Sequence, residues 1–144
     1  MREILPDKLW LGNAADIRNV EAMMQAGILA VVDLAYEQAM PAYPRSIAYC
    51  RFPIVDGQQS LQGILQVAIE SLVAMLEAEI PVLVCCGAGM SRSPAVAAAA
   101  VAILRGGDPD DKLREITAGY PHDVSPTLWR EVREICAALQ RKHS

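Results

Sequence analysis

The sequence predicts an α/β domain in which helices cover a central, mainly parallel or mixed sheet. Short apolar runs of strand length, at residues 28–34 and 81–85, alternate with segments whose apolar residues recur every three or four positions. Glycine and proline punctuate the boundaries between them. A chain of 144 residues can bury a large core without a disulfide or metal staple, and it sits within the usual size of one domain.

In order along the chain, residues 8–11 alternate as a short edge strand. Asp16 is placed to cap a helix that carries Ile17, Val20 and Met24 and ends at Gly27. Residues 28–34 are mostly apolar, as expected of a strand buried on both faces. Residues 47–55 form a second strand closed by Asp56 and Gly57. Leu61, Ile64, Leu65, Ala68, Ile69, Leu72, Val73 and Leu76 then mark an amphipathic helix. Residues 81–85 form a third buried strand. The alanine-rich helix at 93–105 has side chains small enough for close packing on a sheet. A short helix follows at 109–118, and a last one carries Leu128, Val132, Ile135, Cys136 and Leu139 on one face. Strands alternating with helices place most strands parallel.

Hydrophobic residues make up 53% and charged residues 21%, which excludes a disordered chain. A net charge of −4 argues against a nucleic-acid partner bound through phosphate neutralisation. The longest apolar run, at 95–104, is half of the roughly 20 residues that a membrane span needs. Residues 1–8 lack the apolar region of a signal peptide. These features lead to the expectation of a soluble, cytoplasmic protein with no membrane partner. Cys50, Cys85, Cys86 and Cys136 contain no CxxC pair, so no metal site is expected.

The chemistry concentrates where the strand ending at Cys85 runs into Cys86-Gly-Ala-Gly-Met-Ser-Arg92 and a helix begins at Ser93-Pro94. A strand, a glycine-containing turn and a helix N-terminus form a cradle for anions, because successive backbone N–H groups turn inward. Gly87 and Gly89 tolerate the backbone conformations this requires, and Pro94 suits a first helical turn. Arg92 adds a planar fork that matches two oxygens of a phosphate. Cys86 lies at the mouth of the loop, where a helix terminus and an arginine favour the thiolate. A thiolate aimed into a phosphate cradle is arranged for attack on phosphorus.

These residues resemble a known family. Cys86 to Arg92 fits C-x5-R, and the string VLVCCGAGMSRSP at 82–94 is similar to the phosphate loop of the dual-specificity protein phosphatases, within the cysteine-dependent protein tyrosine phosphatase superfamily. LWLGNA at 9–14, FPIVDG at 52–57 and VSP at 124–126 resemble the family's opening strand, general-acid loop and closing segment, so the likeness extends over 1–144 as one catalytic domain. The resemblance implies a protein-tyrosine-phosphatase-like fold and cofactor-free hydrolysis of phosphotyrosine, with phosphoserine and phosphothreonine also within the class. Its substrates would be phosphorylated proteins or small phosphoesters, cleaved through a phosphocysteine intermediate.

The resemblance also implies roles: Cys86 as nucleophile, and Gly87, Ala88, Gly89, Met90, Ser91 and Arg92 as the phosphate-binding loop. Asp56, at the end of an apolar strand thirty residues ahead of Cys86, would be the general acid, and Ser93 would assist phosphoenzyme breakdown. Ser93 is also placed as an N-cap, and Asn13 matches either a loop-supporting position or an ordinary turn. Asp33 reads as a structural hydrogen-bonding group, Asp108, Asp110 and Asp111 as turn and helix-start residues, and Cys50 and Cys136 as core. Two departures stand out: Cys85 replaces the histidine usual before the nucleophile, and Thr127 a common asparagine. A phosphate-binding protein of weak turnover and a thiol redox enzyme of arsenate reductase or sulfurtransferase type therefore stay open as alternatives.

Overall fold

A computed structural model describes residues 1–55, 57 and 63–143. Among these residues, five strands form one sheet in the order β1-β2-β5-β3-β4, where β1 is Arg2–Leu5, β2 Leu9–Gly12, β3 Ala30–Ala35, β4 Ala48–Ile54 and β5 Val82–Cys85. The pairs β2–β5, β5–β3 and β3–β4 are parallel, and β1 joins β2 antiparallel. The helices are α1 (Val20–Gln25), α2 (Ile64–Glu77), α3 (Arg92–Arg105), α4 (Pro109–Thr117) and α5 (Pro126–His143). The mixed sheet with its helical layers is the expected α/β arrangement.

Two elements differ from expectation. The strand expected at the edge, β2, is interior and buried throughout, because β1 covers its outer side. β1 is four residues long with mixed burial, too short for a periodic signal. It turns into β2 through Asp7, at φ 59°, a conformation that aspartate tolerates better than most residues. The first helix is also split. Asp16–Arg18 form a 3-10 turn, and Asn19 then breaks the path and caps α1 by accepting the Ala22 N–H at 3.1 Å. Asp16 instead accepts the Asn13 N–H at 2.9 Å and pairs with the terminal ammonium. The restart rotates the helix so that Met23 is buried and Met24 is exposed.

Alternation along the strands sends side chains to two cores. Leu9, Leu11, Val32, Leu34, Val82 and Val84 face the layer of α2, α3 and α5, whereas Trp10, Val31, Leu83 and Cys85 join Ile17 of the 3-10 turn, Met23 of α1, Ile28 and Ile47 on the other face. Helix α3 lies at the centre of the larger layer, packed against α2, α4 and α5, and Ala95 to Ala100 are fully buried. Its small side chains are what allow this approach, as expected. Cys136 faces α3 with its thiol directed at the Ala99 carbonyl, and burial pushes that thiol up to about 11. Cys50 is only half-buried.

On the second face, Asp33 is fully buried in β3. It accepts hydrogen bonds from the Tyr49 hydroxyl at 2.5 Å, the Arg51 guanidinium at 2.9 Å and the Ala35 N–H at 3.0 Å, which ties β3 to β4. Its expected structural role is therefore realised, and burial with the Asp33 hydrogen bond pushes the Tyr49 phenol upward. Asp108 caps α4 by accepting the Asp110 N–H at 2.8 Å, as its place before Pro109 suggests.

The packing of α3 generates a stability prediction. Ala98→Leu adds three heavy atoms where no space exists, so unfolding stability should fall by at least about 1–3 kcal/mol. Denaturant unfolding checks this; an unchanged midpoint would mean that α3 is not in close contact with its neighbours.

Candidate active site

The site forms at the carboxyl end of β5, the usual location for sites in parallel α/β sheets. β5 ends at Cys85, the loop of 86–91 turns back, and α3 begins at Arg92. The loop is held from β2 and the segment after it: Gly12 carbonyl accepts the Cys86 N–H at 3.4 Å, and Gly87 carbonyl accepts the Ala14 N–H at 3.1 Å. Gly89 has φ +75°, and a Cβ there would sit 3.0 Å from the Gly12 carbonyl oxygen. Glycine is thus required both by conformation and by close approach.

Cys86 and Ser93 are buried together, with Sγ and Oγ 3.3 Å apart. Ser93 lies one residue inside α3, so its hydroxyl serves this contact, and the N-cap position falls to Ser91. Asn13 is used by the turn: its side-chain oxygen accepts the Ala15 and Asp16 N–H groups at 2.9 and 3.0 Å. Arg92 is 5% exposed, and Nη1 donates to the Ile54 carbonyl at 2.7 Å. Cys86, Gly87, Ala88, Met90, Ser91 and Arg92 line one cavity of about 430 Å³, completed by Glu37, Val55 and Asp123. Asp56, the expected general acid, lies outside the described residues, as does Leu61.

Glu37 was not singled out from the sequence. Its carboxylate grips the guanidinium in a fork, Oε2 on Nη1 at 2.9 Å and Oε1 on Nη2 at 2.7 Å. The Arg92 hydrogen bonds hold the Glu37 carboxyl below the usual carboxylate range. Oε1 passes so close to Gly87 that a Cβ there would meet it at 2.7 Å. Gly87 therefore makes room for an ion pair rather than for a left-handed turn. The available signal was position: Glu37 closely follows the buried strand β3. Asp123 is the other unanticipated residue. Its N–H donates to the Met90 carbonyl at 2.8 Å, so the closing segment grips the loop through its backbone whatever stands at Thr127. Ser125 caps α5 by accepting the Leu128 N–H at 3.1 Å.

The two adjacent thiols part company. Cys86 packs with the helical layer, whereas Cys85 points to the opposite face and lies in register with Asp33. Its thiol donates weakly to the Val32 carbonyl at 3.7 Å, and burial followed by the Asp33 carboxylate pushes it strongly upward, towards the un-ionised form. A neighbouring Cys86–Cys85 redox pair has no geometric basis here, because consecutive strand positions face apart.

No family model matches the chain. Mouse (Mus musculus) dual specificity protein phosphatase 8 is 31% identical over 129 residues, 89% of this chain and 19% of that protein. The human protein of the same name matches at 31% over 129 residues. The chain thus spans about a fifth of the length of the curated relatives it matches. Among solved structures, human DUSP28 superposes with a TM-score of 0.85 at 26% identity, covering 99% of both chains. A mouse putative dual specificity phosphatase complexed with zinc tungstate superposes at 0.83 with 26% identity, over 97% of this chain and 88% of that one. Sequence likeness along 89% of the chain and a fold shared end to end lead to one assignment: the chain belongs to the dual-specificity protein phosphatase family.

Proposed function

We propose that the chain is a phosphomonoester hydrolase that removes phosphate from phosphorylated protein side chains through a phosphocysteine intermediate. The observation that supports this most is that Cys86 and Arg92 line one cavity, with the buried Ser93 hydroxyl 3.3 Å from the Cys86 thiol, all within eight residues of sequence. The mouse relative with zinc tungstate adds support, since tungstate presents tetrahedral oxygens as phosphate does.

In this reading the Cys86 thiolate attacks phosphorus, an S–P bond forms, and the bond to the leaving oxygen breaks. Asp56 gives that oxygen its proton. Water then attacks phosphorus, Asp56 takes the water proton, and the S–P bond breaks to return the thiolate and release phosphate. Ser93 donates to the sulfur as it departs, from its place 3.3 Å away. The loop N–H groups and Arg92 stabilise charge on the equatorial oxygens. Glu37 is a positioning residue: it holds the Nη1–Nη2 edge of Arg92 and so sets the plane of the guanidinium.

Cys86→Ser should abolish p-nitrophenyl phosphate hydrolysis while still binding tungstate in calorimetry, because the cradle survives and a hydroxyl without an activating base is a poor nucleophile. Arg92→Lys should lose both, since an ammonium cannot reproduce the fork. Near wild-type turnover in either variant would rule out the mechanism.

Asp56→Asn should slow phosphotyrosine hydrolysis by about 10²–10⁴-fold and p-nitrophenyl phosphate far less, because a good leaving group hardly needs the proton. Equal losses across leaving groups of different basicity would remove Asp56 from this role.

Glu37→Gln should raise KM for phosphotyrosine by up to roughly fivefold with a smaller change in kcat, as expected for a half-exposed ion pair worth about 1 kcal/mol or less. Because Arg92 lowers the Glu37 carboxyl, the pair is intact above the usual carboxylate range and opens only as pH falls through the lowered value. The wild-type KM should therefore approach that of Glu37→Gln only in strong acid; identical KM values at neutral pH would show that the fork needs no bracing.

A further inference from the structure

The cradle cavity is bordered by a second one. Leu113, His122, Val124, Pro126 and Trp129 line a space of about 470 Å³, and Asp123 lines both it and the cavity that holds Cys86 and Arg92. The wall between them is firm: the Asp123 N–H is bonded to the Met90 carbonyl, and the Trp129 indole donates to the Asp110 carboxylate at 2.7 Å. The second cavity is mostly apolar, with an exposed carboxylate where it meets the cradle. On the cradle's rim stand Glu37 and Asp123, both acidic, while the loop of 86–91 carries no lysine.

An apolar wall leading to a carboxylate fits a side chain with an aliphatic stem and a cationic head. Trp129 lines the same cavity and adds aromatic surface for such a stem. The two cavities share a residue, so their occupants are separated by one or two residues of an extended chain, at roughly 3.3–3.6 Å each. Building on the phosphatase reading, we propose that the cavity of Leu113, Val124 and Trp129 is a substrate subsite for an arginine or lysine one or two residues from the phosphorylated side chain, with its cation at Asp123. Acidic phosphopeptides and polyphosphorylated lipids are disfavoured at the same rim, because their charges meet Asp123.

The test is a panel of phosphotyrosine peptides identical except at the two residues on either side, which carry Arg, Lys, Leu, Ala or Glu. Wild type should hydrolyse the Arg and Lys peptides with kcat/KM about three- to tenfold above the Ala peptide, with Glu below Ala, and the ratio should shrink as salt is raised. Asp123→Asn should bring the ratio close to one, and Asp123→Lys should invert it so that Glu peptides are preferred. A merely structural role for Asp123 would lower all peptides together. Equal rates, a preference for Leu, a basic preference that persists in Asp123→Lys, or faster hydrolysis of phosphoinositide vesicles than of any peptide would overturn the proposal. Calorimetry of the same peptides on Cys86→Ser separates the two readings. If wild type hydrolyses neither peptides nor p-nitrophenyl phosphate, the phosphatase reading fails, and the subsite then stands only if the Arg and Lys peptides still bind more tightly than the Ala and Glu peptides.

Discussion

A guanidinium buried at the start of a helix is the constraint to which the rest of the site answers. Arg92 is the first residue of α3, where the helix dipole already presents positive potential. A cation is costly there, and its burial increases the cost. The fold offsets it with the Glu37 carboxylate and the Ile54 carbonyl, drawn from the ends of β3 and β4. In the proposed reading, the loop N–H groups and this guanidinium together supply the field that holds a phosphate dianion.

Holding that field in place depends on backbone contacts more than on side chains. Gly12 and Gly89 bring β2 within van der Waals distance of the loop, and Gly87 leaves the space through which Glu37 reaches Arg92. The closing segment contributes the Asp123 amide to the Met90 carbonyl. Two separate stretches of chain, residues 12–14 and the segment at Asp123, thus hold the loop through backbone groups.

The two faces of the sheet have separate duties. Above lie Cys86, Ser93 and the helical layer; below, Asp33 gathers Tyr49 and Arg51 with Cys85 beside it. Cys85 precedes Cys86 without contributing a strong hydrogen-bond donor, and it lies in register with Asp33, the buried carboxylate that links β3 to β4.

The sequence alone determined the parts of this protein that are local. The strand, glycine turn and helix start around Cys86 and Arg92, the amphipathic face of α2 and the alanine face of α3 are written in spacing, because backbone conformation and side-chain period act within a few residues. The tertiary structure decided what depends on distant partners. Short β1 owes its existence to pairing with β2, and it converts an expected edge into an interior strand. Asn19 restarts the first helix and changes which methionine is buried. Glu37 meets Arg92 across 55 residues, and Asp123 reaches the loop from the segment between α4 and α5. No local period encodes such contacts; they arise only when the sheet order β2-β5-β3-β4 brings the carboxyl ends of its parallel strands together.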